Sequence, residues 1–207
     1  AIVNSIFAMK CLGYPDDHPV LANQLREMEN LMIYDGDKLY LQPCVSPVWD
    51  TAWAIIALHE SGMPGADSSL QKAGQWLLSK EVRHYGDWAL KCKVDEPSGW
   101  YFQYANEFYP DTDDSAAVLM ALQRVSLPER MHKEKAVLRG VKWLLAMQCY
   151  DGGWGSFDRN NNKAILNHIP FADFNALLDP STSDVTGRCL DFLGRIGFSK
   201  SSHHIQK

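Results

Sequence analysis

The 207 residues are 46% apolar and 22% charged with a net charge of −5, which predicts a folded, core-bearing chain and argues against disorder and a nucleic-acid partner. No apolar run approaches the ~20 residues of a membrane-spanning helix. The five scattered cysteines, Cys11, Cys44, Cys92, Cys149 and Cys189, form no Cys-x-x-Cys pair and fit reduced thiols rather than a disulfide framework.

The chain opens on Ala1-Ile2-Val3-Asn4, which reads as the inside of a helix, and its far end stops as abruptly; an internal piece of a longer protein is expected. Ile2, Val3, Ile6, Phe7 and the apolar run before Gly13 predict a buried helix over residues 1–12. Asp17-His18-Pro19 starts a second, expected over residues 20–33, with Leu21, Leu25, Met28, Leu31 and Met32 at helical spacing. Residues 34–47 are polar and proline-bounded. They mark a boundary that assigns residues 1–44 to the end of one domain and 45–207 to the start of another.

A repeat then begins. Asp50-Thr51-Ala52, Asp114-Ser115-Ala116 and Asp184-Val185-Thr186 each open a helix shortly after a proline, Pro47, Pro110 and Pro180. Second helices carry Lys72-Ala73-Gly74-Gln75-Trp76-Leu77 and Arg139-Gly140-Val141-Lys142-Trp143-Leu144, and end in Gly86-Asp87-Trp88 and Gly152-Gly153-Trp154. Repeating helix pairs cannot bury their apolar faces alone, so they stack. No period-two strand pattern competes. The expected fold is all-α, with concentric helices in an α/α barrel or toroid.

Two motifs stand out. In Tyr109-Pro110-Asp111-Thr112-Asp113-Asp114-Ser115, three carboxylates crowd a helix start. One Asp satisfies the orphan N–H groups and the dipole; a third adds repulsion, so one of them should hold a proton unusually tightly. Spacing alone leaves capping and chemistry both open. An EF-hand starting at Asp111 fails, because Ala116 and Leu122 stand where Gly and Glu are needed. No histidine or cysteine pair has tight ligand spacing, so no metal or other cofactor is expected. The second motif, Arg139-Gly140 through Trp143-Leu144, Gln148, Gly152 and Trp154, predicts a clamp in which Gln148 bonds backbone at a helix end while Trp154 stacks over its amide. The earlier copy has Glu81 in place of the glutamine.

Together these residues resemble the triterpene cyclases: the second motif is similar to their QW repeat, and Asp111-Thr112-Asp113-Asp114 matches the DxDD motif of the squalene–hopene cyclase branch. Ser46-Pro47-Val48-Trp49-Asp50-Thr51, Gly99-Trp100-Tyr101-Phe102-Gln103-Tyr104 and Asn167-His168-Ile169-Pro170-Phe171-Ala172-Asp173 fit the family as well. The resemblance implies an isomerase that cyclises squalene to hopene or hopanol. Asp113 would be its proton donor, with Asp111 and Asp114 in support, Asp184 behind them, Trp49, Phe102 and Phe157 stabilising cations, and Phe171 and Ala172 constricting a substrate channel. It also implies a monotopic homodimer on the cytoplasmic face of a membrane, and a partial chain that is inactive alone.

Arg188 stands where well-known members have histidine. It is expected to pair with Asp111 or Asp114, to tune the acid differently, or to face outward from its helix. Three other readings stay open: a class II cyclase for a different polyprenyl chain, a zinc-dependent protein prenyltransferase-like barrel, and a non-catalytic α/α-toroid binding module.

Overall fold

The computed structural model describes residues 2–42, 44–169 and 177–207. The chain divides into two compact units, Ala1–Val45 and Ser46–Lys207. In the first, α1 (Ile2–Cys11) packs on α2 (Pro19–Glu29), and β1 (Met32–Asp35) pairs antiparallel with β2 (Lys38–Leu41).

The hairpin departs from the helix expected over residues 20–33. That helix stops at Glu29, and Met32 and Ile33 pair with Leu41 and Tyr40 instead. The cause is local: Gly36 and Asp37 form the two-residue turn, and Gly36 has a φ of 62°. A left-handed first turn residue selects a hairpin, and that choice overrides the helical spacing of Leu31 and Met32. Nor does α1 bury any residue fully, against its apolar sequence; two short helices and a ribbon offer too little surface to enclose it.

The second unit runs α3 (Pro47–Glu60), α4 (Ser68–Ser79), α5 (Thr112–Arg124), α6 (Arg130–Met147), α7 (Ser183–Arg195) and α8 (His203–Gln206), with 3-10 turns at Asp87–Leu90 and Ala164–His168. One layer holds α3, α5 and α7, with α5 in the middle; α4 packs on α3 and α6 on α5. A helix enclosed on all sides must be apolar, or small, all round. Thr112 and every residue from Asp114 to Leu122 of α5 are buried, with Ala116, Ala117 and Ala121 admitting the neighbouring helices closely. At Gly140 of α6 a Cβ would come within 2.9 Å of Leu119 and 3.0 Å of Trp100, so the α5–α6 approach needs that glycine.

Hydrogen bonds between helix ends and the loops that follow reveal the repeat's true register. The Trp154 indole N–H donates to the Leu144 carbonyl at 2.7 Å, and Gln148 Nε2 donates to the carbonyls of Gly152 and His204 at 2.8 and 2.7 Å. Trp154 thus satisfies an orphan helix carbonyl through its N–H. The matching bond in the first copy is Trp100 Nε1 to the Leu77 carbonyl, also 2.7 Å. Trp100, rather than Trp88, is therefore the counterpart of Trp154. Trp88 instead meets Trp143 edge-on at 5.9 Å, and its buried indole N–H has no partner among the described residues. Glu81 takes the place of Gln148: its carboxylate accepts from Arg139 Nε and Nη2 at 2.8 and 2.6 Å and from Ser98 at 2.9 Å.

The helix starts shift by one residue too. The caps are Ser46, Asp111 and Thr182. Ser115 Oγ accepts the Trp100 backbone N–H at 2.8 Å and Thr186 Oγ1 accepts that of Trp154 at 3.0 Å. This makes Asp184 the counterpart of Asp113, not of Asp114.

Candidate active site

The site forms at the N-terminal end of α5. Asp111 caps the helix, with Oδ1 accepting the Asp114 N–H at 2.7 Å, while its own N–H donates to the Trp100 carbonyl at 2.9 Å. The capping reading is right for this one carboxylate, and Asp113 and Asp114 do not cap the helix. Thr112 ties the cap to the loop after Trp154: its N–H donates to the Ser156 carbonyl at 2.8 Å and its hydroxyl to the Gly155 carbonyl at 2.5 Å. The Asp179 carboxylate gathers the same loop, accepting the N–H groups of Ser156, Phe157 and Asp158 at 2.9, 2.6 and 2.6 Å.

These anchors shape a cavity of about 340 Å³, lined by Trp49 from the first turn of α3, Asp111, Asp113 and Asp114 from α5, Phe102, Gln103, Asn106 and Tyr109 from the loop before it, and Ser156 and Phe157. The volume is at the low end of ligand-sized pockets. Burial, reinforced by the neighbouring Asp114 carboxyl, holds Asp111 protonated well above the usual carboxylate range. Burial likewise raises Asp114 to about 6, against the hydrogen bond it receives from Asp111. The two carboxyls therefore titrate together rather than independently. Burial raises Asp113 as well, and outweighs the lowering effect of Arg188.

Arg188 comes from α7. Its Nη1 donates to Asp113 Oδ1, and its guanidinium lies 4.9 Å from the Trp49 ring and 5.5 Å from that of Trp53. The expected pairing with Asp111 or Asp114 is not the one formed, and the side chain does not face outward. Among the described residues no group of three or more His, Cys, Asp or Glu is placed to hold a metal ion, and no helix is long and apolar enough to cross a membrane.

Residues 45–207 match the family model described as the squalene-hopene cyclase C-terminal domain. The chain belongs to the squalene–hopene cyclase family. It is 43% identical to a squalene–hopene cyclase of Zymomonas mobilis over 208 residues, covering 96% of this chain and 32% of the relative. With the squalene–hopene cyclase of Alicyclobacillus acidocaldarius it shares 38% over 198 residues, 94% of this chain and 31% of the relative. A dammaradiene synthase of Dryopteris crassirhizoma is 43% identical over 192 residues, 93% of this chain and 28% of that protein. The chain thus spans about a third of the length of the curated relatives it matches.

Within this squalene–hopene cyclase domain, six of the residues singled out from sequence meet at one cavity: Asp111, Asp113, Asp114, Trp49, Phe102 and Phe157. Asp184 does not line it. It is exposed in the first turn of α7, held below the usual carboxylate range chiefly by the Thr182 hydroxyl and the Val185 N–H, and it acts on Asp113 only through its charge. Phe171 and Ala172 lie outside the described residues. Sequence reasoning gave no role to Gln103, Asn106, Tyr109 or Ser156, which have no spacing signature, or to Asp179, although the stretch from Asp179-Pro180 to Asp184 fits the family.

Proposed function

We propose that the complete protein is a triterpene cyclase that converts squalene to hopene or hopanol by acid-initiated polycyclisation, with Asp113 as the acid. The observation that supports this most directly is the meeting of three buried or half-buried carboxyls with aromatic rings in one cavity. A terminal alkene is a very poor base, so its acid must be neutral at rest and shielded from water. The Asp113 O–H bond breaks and leaves its electron pair on oxygen; the alkene π pair forms the new C–H bond, and the adjacent carbon becomes the cation. Aromatic faces then stabilise successive cations without trapping them, each worth ~2 kcal/mol or more when desolvated; Phe102, Phe157 and Trp49 are the rings on this cavity. Loss of a proton from the last cation yields hopene, and capture of water yields hopanol.

Asp113→Asn in the complete protein, assayed with squalene, tests the reading. Turnover should fall by at least three orders of magnitude with the circular-dichroism spectrum unchanged. Retained turnover would remove Asp113 from the acid role; no turnover of squalene by the unsubstituted complete protein would favour the binding-module reading, in which the carboxyls only organise a helix start. The likeness to a dammaradiene synthase supports a second reading, a class II cyclase with another product; identification of the products by mass spectrometry separates the two. A monotopic homodimer on the cytoplasmic face of the membrane completes the proposal, and co-sedimentation of the complete protein with phospholipid vesicles tests that placement.

A further inference from the structure

We propose that Thr112 and Asp179 are positioning residues that tether the Phe157 ring at a set place beside Asp113, and that this tether governs how far cyclisation runs before the product leaves. The inference deepens the reading of the cavity as a cyclase site with Asp113 as its acid, and rests on it.

Phe157 is 50% exposed, so packing around the ring cannot fix it and its place depends on the backbone that carries it. Loops are ordinarily the mobile part of a fold. This one is bonded along both edges. On one edge the Asp179 carboxylate accepts three successive N–H groups, from Ser156, Phe157 and Asp158; a carboxylate is among the stronger acceptors of backbone N–H. On the other edge the buried Thr112 donates its N–H to the Ser156 carbonyl and its hydroxyl to the Gly155 carbonyl.

The tether is itself anchored. The Asp179 N–H donates to the Asn161 carbonyl at 2.8 Å, and the Asn161 amide donates to Asp158 Oδ2 and the Leu177 carbonyl at 2.8 and 2.9 Å. A Cβ at Gly155 would come within 2.7 Å of the Asp179 carbonyl oxygen, so Asp179 is pressed directly on the loop.

Thr112 stands between the cap Asp111 and the acid Asp113. The residue bonded to the loop of Phe157 is thus the covalent neighbour of the acid, and the span from acid to ring is set through one residue. After protonation the cationic centre moves along the polyene as each ring closes. An aromatic face stabilises a cation only within about 6 Å of its centroid. A loop free to drift therefore weakens one cationic stage and leaves protonation in place. The cation is then lost early: a C–H bond beside the cationic carbon gives its electron pair to a new alkene, the proton passes to water, and a product with fewer rings departs.

The test is analysis of the products that the complete protein forms from squalene, by gas chromatography and mass spectrometry. Thr112→Val keeps the shape of the side chain and removes the hydroxyl. Loss of that one buried hydrogen bond should raise the ratio of partly to fully cyclised product about fivefold, with KM little changed. Thr112→Ser, which keeps the donor, should hold the ratio near that of the unsubstituted protein. Asp179→Asn should shift it in the same direction as Thr112→Val and further; if that variant does not fold, Thr112→Val decides alone. A slower reaction with the ratio unmoved in Thr112→Val overturns the proposal, because a loss of stability or of acid strength slows every product alike. A Thr112→Ser ratio shifted as far as that of Thr112→Val overturns it too. If the unsubstituted protein leaves squalene unchanged, or Asp113→Asn still turns it over, the reading of the site fails and the tether with it; an active protein with an unmoved ratio removes the tether alone.

Discussion

Asp114 buries a carboxylate oxygen that has no hydrogen-bond partner among the described residues, next to an Asp111 that keeps its proton. A carboxyl raised from 3.8 to about 6 binds a proton more tightly folded than unfolded. Between those values the folded state carries more protons than the unfolded one, so its contribution to stability is greatest at the acid end and declines as pH rises. Urea denaturation of the complete protein should therefore show stability falling across that window, and Asp114→Asn, which cannot titrate, should flatten the slope. A slope unchanged in the variant would place the tight proton elsewhere. That three crowded carboxylates must share protons is legible in Asp111-Thr112-Asp113-Asp114. Which of them holds a proton tightest is not. It depends on depth, 4% exposure for Asp111 and 3% for Asp114, and on an arginine far along the chain.

At the scale of elements, the repeat rests on an indole N–H that closes each outer helix. Trp100→Phe leaves the Leu77 carbonyl without its buried donor, which costs about 1–3 kcal/mol beyond the loss of ring volume. Trp88→Phe removes an N–H that has no partner among the described residues, so it should cost only the lost packing. Thermal or urea unfolding should find the Trp100 variant the less stable of the two; the reverse order would restore the Gly86-Asp87-Trp88 register. The helix pairs and the matching of Trp76 with Trp143 followed from spacing and composition, whereas the short α8 and the 3-10 turns did not. The choice between Trp88 and Trp100 did not, because both follow a glycine closely and a longer loop in the first copy hides the match.

For the whole molecule, the cavity draws on α3, on α5 and on two loops, and this chain spans about a third of the length of its relatives. Alone, the 207 residues should not turn over squalene, and product formation by the isolated chain in a gas-chromatographic assay would contradict this. The sequence by itself determined the helical repeat, the acidic helix start and the family. Each is written in local spacing, which a single stretch of chain enforces through its own periodicity and caps. It could not determine the hairpin at Gly36, the register of the tryptophans, or the partner of Arg188. The hairpin turned on one left-handed residue outweighing a helical pattern. The other two turned on contacts between distant segments. Asp113 and Arg188 meet because α5 and α7 pack side by side, and the rings of α3 decide where the guanidinium rests.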